Sequence, residues 1–343
     1  MTTHRCIAGL LLLVVLGGSA AGLAACGSPA ADGLVLYNGQ HEQTTSALVS
    51  AFEHTTGQRV SIRSNDEDVL AAQIGEEGSA SPADVIYTEN SPALEYLARH
   101  HLLARLPRSV LGEVPSRYDS PGGYFVGVSA RVSMLVYNTR DLRRSELPRS
   151  VLDLASPRWR NKLAIAPEET DFQPIVTAVA HAYGASRALA WLRGIEANGA
   201  THEYQDSETV TSMVNSGQAE IGIVNQYYWY RLRAEVGQAA MHSALAFFRP
   251  GDPGYVVDVS GAAVLASSRH PKAAVAFVAF LVSRRGQRII ARSDSFEYPL
   301  VAGVAAPAGE RPLDRLQPYP IGLPALGTGE EAIGLMREAG LVP

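Results

Sequence analysis

Residues 34–62 read LVLYNGQHEQTTSALVSAFEHTTGQRVSI, which predicts a strand, a helix and a second strand in succession. The β-rich runs at 34–37 and 59–62 flank a helical segment at 42–56, in which Leu48 and Phe52 lie four residues apart and Gly57 ends the helix. The alternation continues with a helix at 66–77, a strand at 84–87 and a helix at 93–100. This order predicts an α/β sheet with helices on both faces.

A second alternating set follows in the other half of the chain. Residues 124–128 and 132–137 are predicted as two consecutive strands, and later strands are expected at 162–165, 221–224 and 256–265. Helices are expected at 172–183, around Trp191, at 208–214 and at 271–282, before a Pro-rich tail at 304–324. Two α/β lobes joined by two extended crossings fit this pattern, and such lobes enclose a cleft.

We expect residues 34–130 plus 258–305 to form the first lobe, and residues 131–257 plus 306–343 to form the second. The crossings near residues 129–136 and 256–262 would be the hinge strands. The composition agrees with an ordinary globular protein of about two domains, because the chain has 343 residues, 46% of them hydrophobic, and a net charge of -5. Disorder, collagen-like repeats and a basic nucleic-acid-binding surface are therefore excluded as classes.

The N-terminus predicts export and lipidation. Residues 1–25 contain Arg5 and an apolar run that is too short to span a bilayer, as is typical of a signal peptide. The run ends in Leu-Ala-Ala-Cys at 23–26, which resembles the bacterial lipobox, with Cys26 as the lipidated residue. Residues 26–33 would be a lipid-anchored tether, which puts the protein on the outer face of the cell membrane or in the periplasm. An ordinary signal peptide cut after an alanine is the alternative.

Catalytic signatures are nearly absent from the sequence. It contains no G-x-S-x-G, H-E-x-x-H, P-loop or G-x-G-x-x-G motif. The two cysteines, Cys6 and Cys26, lie in the signal peptide and at its end, so thiol chemistry is excluded once Cys26 is lipidated. We therefore expect a binding protein rather than an enzyme; an enzyme with a dispersed site is the alternative.

Short polar groups follow two strands of the first lobe. His41 comes where the first helix begins, after Asn38-Gly39-Gln40, and Glu89 ends a strand of buried type. In an open α/β lobe these positions lie at the edge where ligands bind. Taken alone, His41 is typical of a solvated residue at a helix start and Glu89 of an ordinary loop acid.

A third polar group is the aromatic run Tyr-Tyr-Trp-Tyr at 227–230, which follows the strand at 221–224. A helix start that faces the core accounts for Trp229 and Tyr230. It accounts poorly for Tyr227 and Tyr228, because two adjacent hydroxyls are costly to bury without partners. Adjacent residues point about 100° apart on a helix, so both reach one point only in an irregular first turn.

The sequence resembles the bacterial ferric-ion-binding proteins, the extracytoplasmic components of iron ABC importers. The resemblance runs from about residue 34 to residue 339. It is carried by the segments YNGQH (37–41), AFEHTTG (51–57), EEGSASPADVIYTE (76–89), LVYNTRDL (135–142), FQPIVTA (172–178), NQYYWYRL (225–232), DVSGAAVL (258–265) and EYPL (297–300). It implies a two-lobed periplasmic-binding-protein fold with a two-strand hinge and a cleft between the lobes. It also implies a monomer that delivers Fe³⁺ to a membrane permease and ATPase.

By the same resemblance, the metal ligands are His41, Glu89, Tyr227 and Tyr228. Fe³⁺ is a hard ion that prefers anionic oxygen donors. Two phenolates and one carboxylate cancel its three charges, and four ligands leave an octahedral ion two positions short. In the family, a synergistic anion such as phosphate or carbonate fills these positions, held by small polar residues and backbone amides of the second lobe.

The sequence departs from the family at this anion pocket. Family members have a run of small residues such as Thr-Asn-Gly-Ser after a proline, whereas this chain has Pro-Glu-Glu-Thr-Asp at 167–171 and Asp-Ser-Glu at 206–208. The acids either point to solvent while backbone amides hold an anion, or one carboxylate among Glu168, Glu169 and Asp171 takes the vacant positions. The candidate residues for this pocket are Glu168, Glu169, Thr170, Asp171, Ser207 and Asn225.

A cationic or zwitterionic organic solute, such as a thiamine-like compound or a polyamine, is the alternative ligand. Acidic and aromatic clefts bind such solutes, and Trp229 with the tyrosines would supply a stacking surface.

Overall fold

A computed structural model of the chain describes residues 33–199 and 206–343. The predicted signal peptide, Cys26 and the tether up to residue 32 lie outside the described residues. Within the described ranges, no helix is long and apolar enough to cross a bilayer.

The strands of the described residues form one mixed sheet. They are β1 (Leu34–Gly39), β2 (Val60–Ser64), β3 (Val85–Thr88), β4 (Val126–Asn138), β5 (Leu163–Ala164), β6 (Ile221–Asn225), β7 (Ser243–Ala246), β8 (Val257–Val264) and β9 (Tyr298–Pro299). Their order is β2-β1-β3-β8-β4-β6-β5, and β7 and β9 both pair with β4. β1 is parallel to β2 and β3, whereas β8 is antiparallel to both of its neighbours.

The helices of the same residues are α1 (Glu42–Thr56), α2 (Glu67–Glu77), α3 (Ser91–Arg99), α4 (Arg108–Leu111), α5 (Gln173–Tyr183), α6 (Ala185–Ala197), α7 (Ser207–Ser216), α8 (Gln226–Val236), α9 (Pro271–Leu281), α10 (Arg284–Arg292), α11 (Leu323–Leu326) and α12 (Glu330–Ala339). α1 has the bounds that the sequence predicts. Leu48 and Phe52 are buried, and Gly57 ends the helix in the left-handed conformation at φ 71°, its amide donating to the Glu53 carbonyl.

The prediction of two separate strands at 124–128 and 132–137 is wrong. The structure has one strand of 13 residues, β4, every residue of which is buried. Ser129, Ala130 and Arg131 interrupt the apolar pattern, but they stay extended because their partners on β8 continue past them. The first half of β4 pairs with β8 up to Val132, and the second half pairs with β6 and β7 from Ser133 onward. β4 therefore joins the part of the sheet formed by β2, β1, β3 and β8 to the part formed by β6 and β5.

Candidate metal-binding site

His41 and Glu89 lie side by side because they follow neighbouring parallel strands. β1 and β3 pair in parallel, so their carboxyl ends meet at one edge of the sheet. His41 is the residue just before α1, and its Nδ1 lies 3.1 Å from Glu89 Oε1. The other ring nitrogen of His41, Nε2, is buried and has no hydrogen-bond partner within residues 33–199 and 206–343. Burial lowers the pKa of His41, which keeps the imidazole neutral and able to donate a lone pair.

Tyr227 and Tyr228 lie in the first turn of α8, directly after β6. Their ring centroids are 4.1 Å apart, and both residues are buried. The Tyr227 hydroxyl lies 3.2 Å from Glu89 Oε1 and 3.1 Å from Asp171 Oδ2, each within hydrogen-bond distance. The Tyr228 hydroxyl lies 3.0 Å from the same Asp171 oxygen and 2.7 Å from Glu169 Oε1. Burial, aided by the negative charge of Asp171, raises the pKa of both phenols.

The acidic loop after β5 divides into exposed and buried residues. Glu168 is exposed and lines the mouth of the cleft, whereas the Asp171 side chain is only 6% exposed. Glu169 Oε2 accepts hydrogen bonds from the backbone amide of Ser207, at 3.0 Å, and from its hydroxyl. Thr170 Oγ1 accepts a hydrogen bond from the side-chain amide of Asn90 at 3.0 Å. Burial and the charge of Asp171 raise the pKa of Glu169 to about 8.

The remaining two candidates, Ser207 and Asn225, line a very small cavity. Ser207 is the first residue of α7, and Asn225 is the last residue of β6. Together with Asp171 they enclose a space of about 10 Å³, which is the minimum that one water molecule needs.

Arg131 is a site residue that the sequence analysis missed. Its side chain is fully buried on β4, and its guanidinium donates to Glu297 Oε1 at 2.6 Å, to Asn90 Oδ1 at 2.8 Å and to the Glu89 carbonyl. It also lies 3.8 Å from the carboxylates of both Glu89 and Asp171. Burial raises the pKa of Glu89 to about 8, although Arg131 opposes this shift. The sequence signal for it is an arginine in the middle of a long run of strand-forming residues.

A cleft of about 620 Å³ opens above this site and is lined by acids. Four of them come from the region after β1 and β2, namely Glu42, Asp66, Glu67 and Asp68. The other four are Glu89, Glu168, Glu169 and Asp206, and no lysine or arginine is among the described residues that line the cleft.

The two tyrosines do not line this cleft but lie beneath Glu89 and Glu169. Trp229 does not line it either: its indole nitrogen donates to Ser243 Oγ at 3.1 Å, and its ring packs against Tyr230. The expectation that Trp229 offers a stacking surface in the cleft is therefore wrong, because its helical position turns it away from Tyr227 and Tyr228.

Comparison with known proteins identifies the family of the chain. Residues 80–321 match the family model of bacterial extracellular solute-binding proteins. The Fe(3+)-binding periplasmic protein of Serratia marcescens is 37% identical over 311 residues, which cover 91% of each chain. The structure of iron-bound HitA from Pseudomonas aeruginosa superimposes with a TM-score of 0.85 at 40% identity, over 90% of this chain and 99% of that one. The Trichodesmium protein IdiA (FutA), solved with iron and citrate, gives a TM-score of 0.80 at 27% identity, over 90% of this chain and all of that one.

These matches extend over nearly all of the described residues, and these relatives are binding proteins rather than enzymes. The fold is accordingly the two-lobed α/β fold of periplasmic binding proteins. The chain belongs to the bacterial extracellular solute-binding proteins, and within them to the ferric-ion-binding protein family that its sequence resembles.

Proposed function

We propose that this chain captures Fe³⁺ outside the cytoplasm and delivers it to the permease of an ABC importer. The observation that carries the proposal is the convergence of four donor groups from distant parts of the sequence. His41, Glu89, Tyr227 and Tyr228 form a chain of contacts in which neighbouring donor atoms or rings touch. Phenolate and carboxylate oxygens are the donors that a hard trivalent ion prefers.

Charge supports Fe³⁺ as the ligand. Two phenolates and the Glu89 carboxylate supply three negative charges, and His41 adds a neutral nitrogen. The phenol protons would leave to solvent when the ion binds, because a trivalent cation stabilises the phenolate strongly enough to overcome its raised pKa. No change in the oxidation state of iron is needed.

The lobe boundaries predicted from the sequence support a hinged mechanism. Residues 34–130 plus 258–305 would contribute His41 and Glu89, and residues 131–257 plus 306–343 would contribute both tyrosines. β4 and β8 run along the proposed hinge and pair with each other from Val126 to Val132. Ligands from both lobes are satisfied together only in the shut state, so iron binding would favour closure.

The place of action follows from the N-terminus. We infer that residues 1–25 are removed and that Cys26 is lipidated, which would hold a monomeric receptor at the membrane surface beside its permease and ATPase. Acyl chains of this kind give stable anchoring when more than one is present.

The test is the colour and metal content of protein purified without chelators. Ferric phenolate absorbs visible light, so a coloured protein with about one iron per chain is the expected result. An organic cation, the alternative ligand, would leave the protein colourless and iron-free even after incubation with ferric iron. That outcome would overturn the proposal.

A further inference from the structure

We propose that four arginines of α10 form a face that lies on the anionic phospholipid surface of the membrane and orients the anchored protein there. This arginine face consists of Arg284, Arg285, Arg288 and Arg292. The inference rests on the proposed lipidation of Cys26, but it concerns a surface outside the iron site.

The arginine face has no counter-charge in the described part of the chain. α10 has nine residues, of which four are arginines and none is an acid, and all four arginines are exposed. Within residues 33–199 and 206–343, no carboxylate lies at ion-pair distance from any of them. Arg288 lies four residues from both Arg284 and Arg292, a spacing at which like charges on a helix repel. An anionic surface outside the chain would supply the missing counter-charge.

The surface next to the arginine face is uncharged. A groove of about 530 Å³ lies between α1 and α10, and Ala47, Ala51 and Ile289 line it beside the arginines. No acid is among the described residues that line this groove, whereas eight acids line the cleft. The exposed residues in the adjoining part of α1 are also uncharged, namely Gln43, Ser46, Ala47 and Ser50. An anionic surface can therefore approach α10 without meeting acids along this part of α1.

The arginine face begins near the point at which the predicted tether joins the fold. Arg285 Nη1 donates to Thr55 Oγ1 at 2.8 Å, close to the end of α1. Four residues later, the Arg59 carbonyl accepts from the backbone amide of Leu34 at 2.9 Å. Eight residue steps separate Leu34 from Cys26, and they span at most about 30 Å. Acyl chains on Cys26 would keep this part of the fold close to the membrane, which favours lipid over an acidic protein segment as the partner.

The charge of the rest of the chain favours one orientation. The net charge is -5, so anionic lipids repel the protein as a whole, whereas they attract arginines that lie near them. The acidic cleft cannot face the same lipids without repulsion. At physiological ionic strength the attraction acts over only about 8 Å. The arginine face therefore orients a protein that the acyl chains already hold, and it does not anchor the protein alone.

The experiment measures binding of correctly cut Cys26→Ala protein, which carries no acyl chain, to sedimented vesicles. One set of vesicles is half phosphatidylglycerol and half phosphatidylcholine, and the other is phosphatidylcholine alone. In about 0.01 M salt, where charges act over about 30 Å, we expect binding to the anionic vesicles only. Sodium chloride at about 1 M should abolish this binding, since it shortens that range to about 3 Å. Inorganic phosphate at equal ionic strength should compete no better than chloride.

Paired variants show whether the arginine face is responsible. Arg288→Gln combined with Arg292→Gln should weaken binding to the anionic vesicles by at least about tenfold, because each arginine near such a surface contributes about fivefold. Arg288→Lys combined with Arg292→Lys keeps both charges and should bind as wild type. Arg144→Gln combined with Arg160→Gln is the matched control, because it removes two exposed arginines elsewhere on the chain, and it should bind nearly as wild type.

The orientation is measured on the lipidated protein in the same vesicles. Cys26 is then blocked by its lipid and Cys6 is removed with the signal peptide, so one introduced cysteine can carry a dye. A dye at Ser50→Cys on α1 should transfer energy to a headgroup-labelled lipid more efficiently on anionic than on neutral vesicles. A dye at Ser186→Cys, an exposed position of α6, should show no such gain.

Equal binding to both kinds of vesicle, or a glutamine pair that binds as wild type, would overturn the inference. Specific competition by phosphate would also overturn it, since that would indicate a site for a small anion. Protein that ignores anionic vesicles but binds its permease through these arginines would assign the face to an acidic protein segment instead. The visible iron band should be the same in all variants, so failure on vesicles leaves the proposed function intact. Absence of the band from wild-type protein would overturn the proposed function and leave the vesicle result unchanged.

Discussion

The hydroxyls of Tyr227 and Tyr228 each lie within hydrogen-bond distance of carboxylates from two different residues, and Asp171 is shared by both. Tyr230, two residues further along α8, also has a satisfied hydroxyl, but its partner is the Gly309 carbonyl outside the site. The three side chains thus offer a matched comparison within one helix.

We expect Tyr227→Phe or Tyr228→Phe to weaken Fe³⁺ binding by at least about tenfold, and more than His41→Ala does, because each tyrosine supplies a negative charge and the imidazole supplies none. The double tyrosine variant should lose the visible band. Tyr230→Phe should retain both the band and the affinity. Isothermal titration with a ferric chelate, read beside the spectrum, makes the measurement, and an intact band in the double variant would contradict the ligand assignment.

Arg131 is predicted to stabilise the metal-free protein. Its side chain and that of Glu297 are both fully buried, so removal of the guanidinium leaves an uncompensated carboxylate. Arg131→Met should lower the free energy of unfolding by about 3–5 kcal/mol. Urea denaturation of the iron-free protein measures this loss.

Removing the charge of Glu297, the ion-pair partner of Arg131, provides the control for Arg131→Met. Glu297→Gln combined with Arg131→Met should recover part of the stability, since the amide needs no counter-charge. Strictly additive losses in this double-mutant cycle would show that the pair does not interact energetically.

At the level of elements, two glycines inside helices have opposite surroundings. A Cβ on Gly194 in α6 would lie 2.6 Å from the Ala155 Cβ, whereas a Cβ on Gly334 in α12 would meet nothing within 4 Å. Gly334→Ala should therefore raise stability by about 0.5–1 kcal/mol through its better helix propensity. Gly194→Ala should lower it by about 1–3 kcal/mol through overpacking against the short helical turn at Ala155. Thermal unfolding of both variants tests this contrast, and equal shifts of the melting temperature in the two would contradict it.

The long amphipathic elements were predictable from sequence, and the short or interrupted ones were not. α1 and α9 follow helical periodicity and end within a residue of their predicted bounds. Ser129 and Arg131 make β4 look like two strands in the sequence, although the Ser129 hydroxyl bonds to Ser260 and the Arg131 guanidinium donates to Glu297, both from distant segments. β9 has only two residues, which are too few to show a periodic pattern in the sequence.

The candidate site likewise has residues that the sequence predicts and residues that it does not. Resemblance to the family indicates the tyrosines, Glu89 and His41, and the acidic run at 167–171 departs from the family pattern. Which of its acids is buried could not be predicted, because adjacent loop residues such as Glu168 and Glu169 differ only in contacts made after folding. Arg131 was missed for the same reason, since its partners lie 41 and 166 residues away.

On the scale of the whole molecule, the lipid anchor is a prediction that concerns residues outside the described ranges. Cys26→Ala should release the protein from membranes, because no helix in the described part of the chain can replace the acyl chains. Fractionation of cells followed by immunoblotting measures the change. N-terminal analysis must show that the variant has been cut, since an uncut signal would hold it at the membrane. Correctly cut Cys26→Ala protein that still sediments with membranes would contradict the lipoprotein assignment.

We expect the burial of the proposed ligands Tyr227 and Tyr228 to limit the rate at which iron is lost. Tyr227 is 0% exposed and Tyr228 only 6%, so we expect a chelator in solution to displace these two proposed ligands only when the lobes part. Iron transfer to citrate should then speed up with citrate concentration only at first and level off at the rate of opening. Stopped-flow decay of the visible band at rising citrate concentrations measures this limit, and a rate that keeps growing linearly would mean direct attack on the ion. A receptor that opens rarely would lose its iron slowly to competing chelators. Its permease would therefore receive iron faster if docking separated the two lobes.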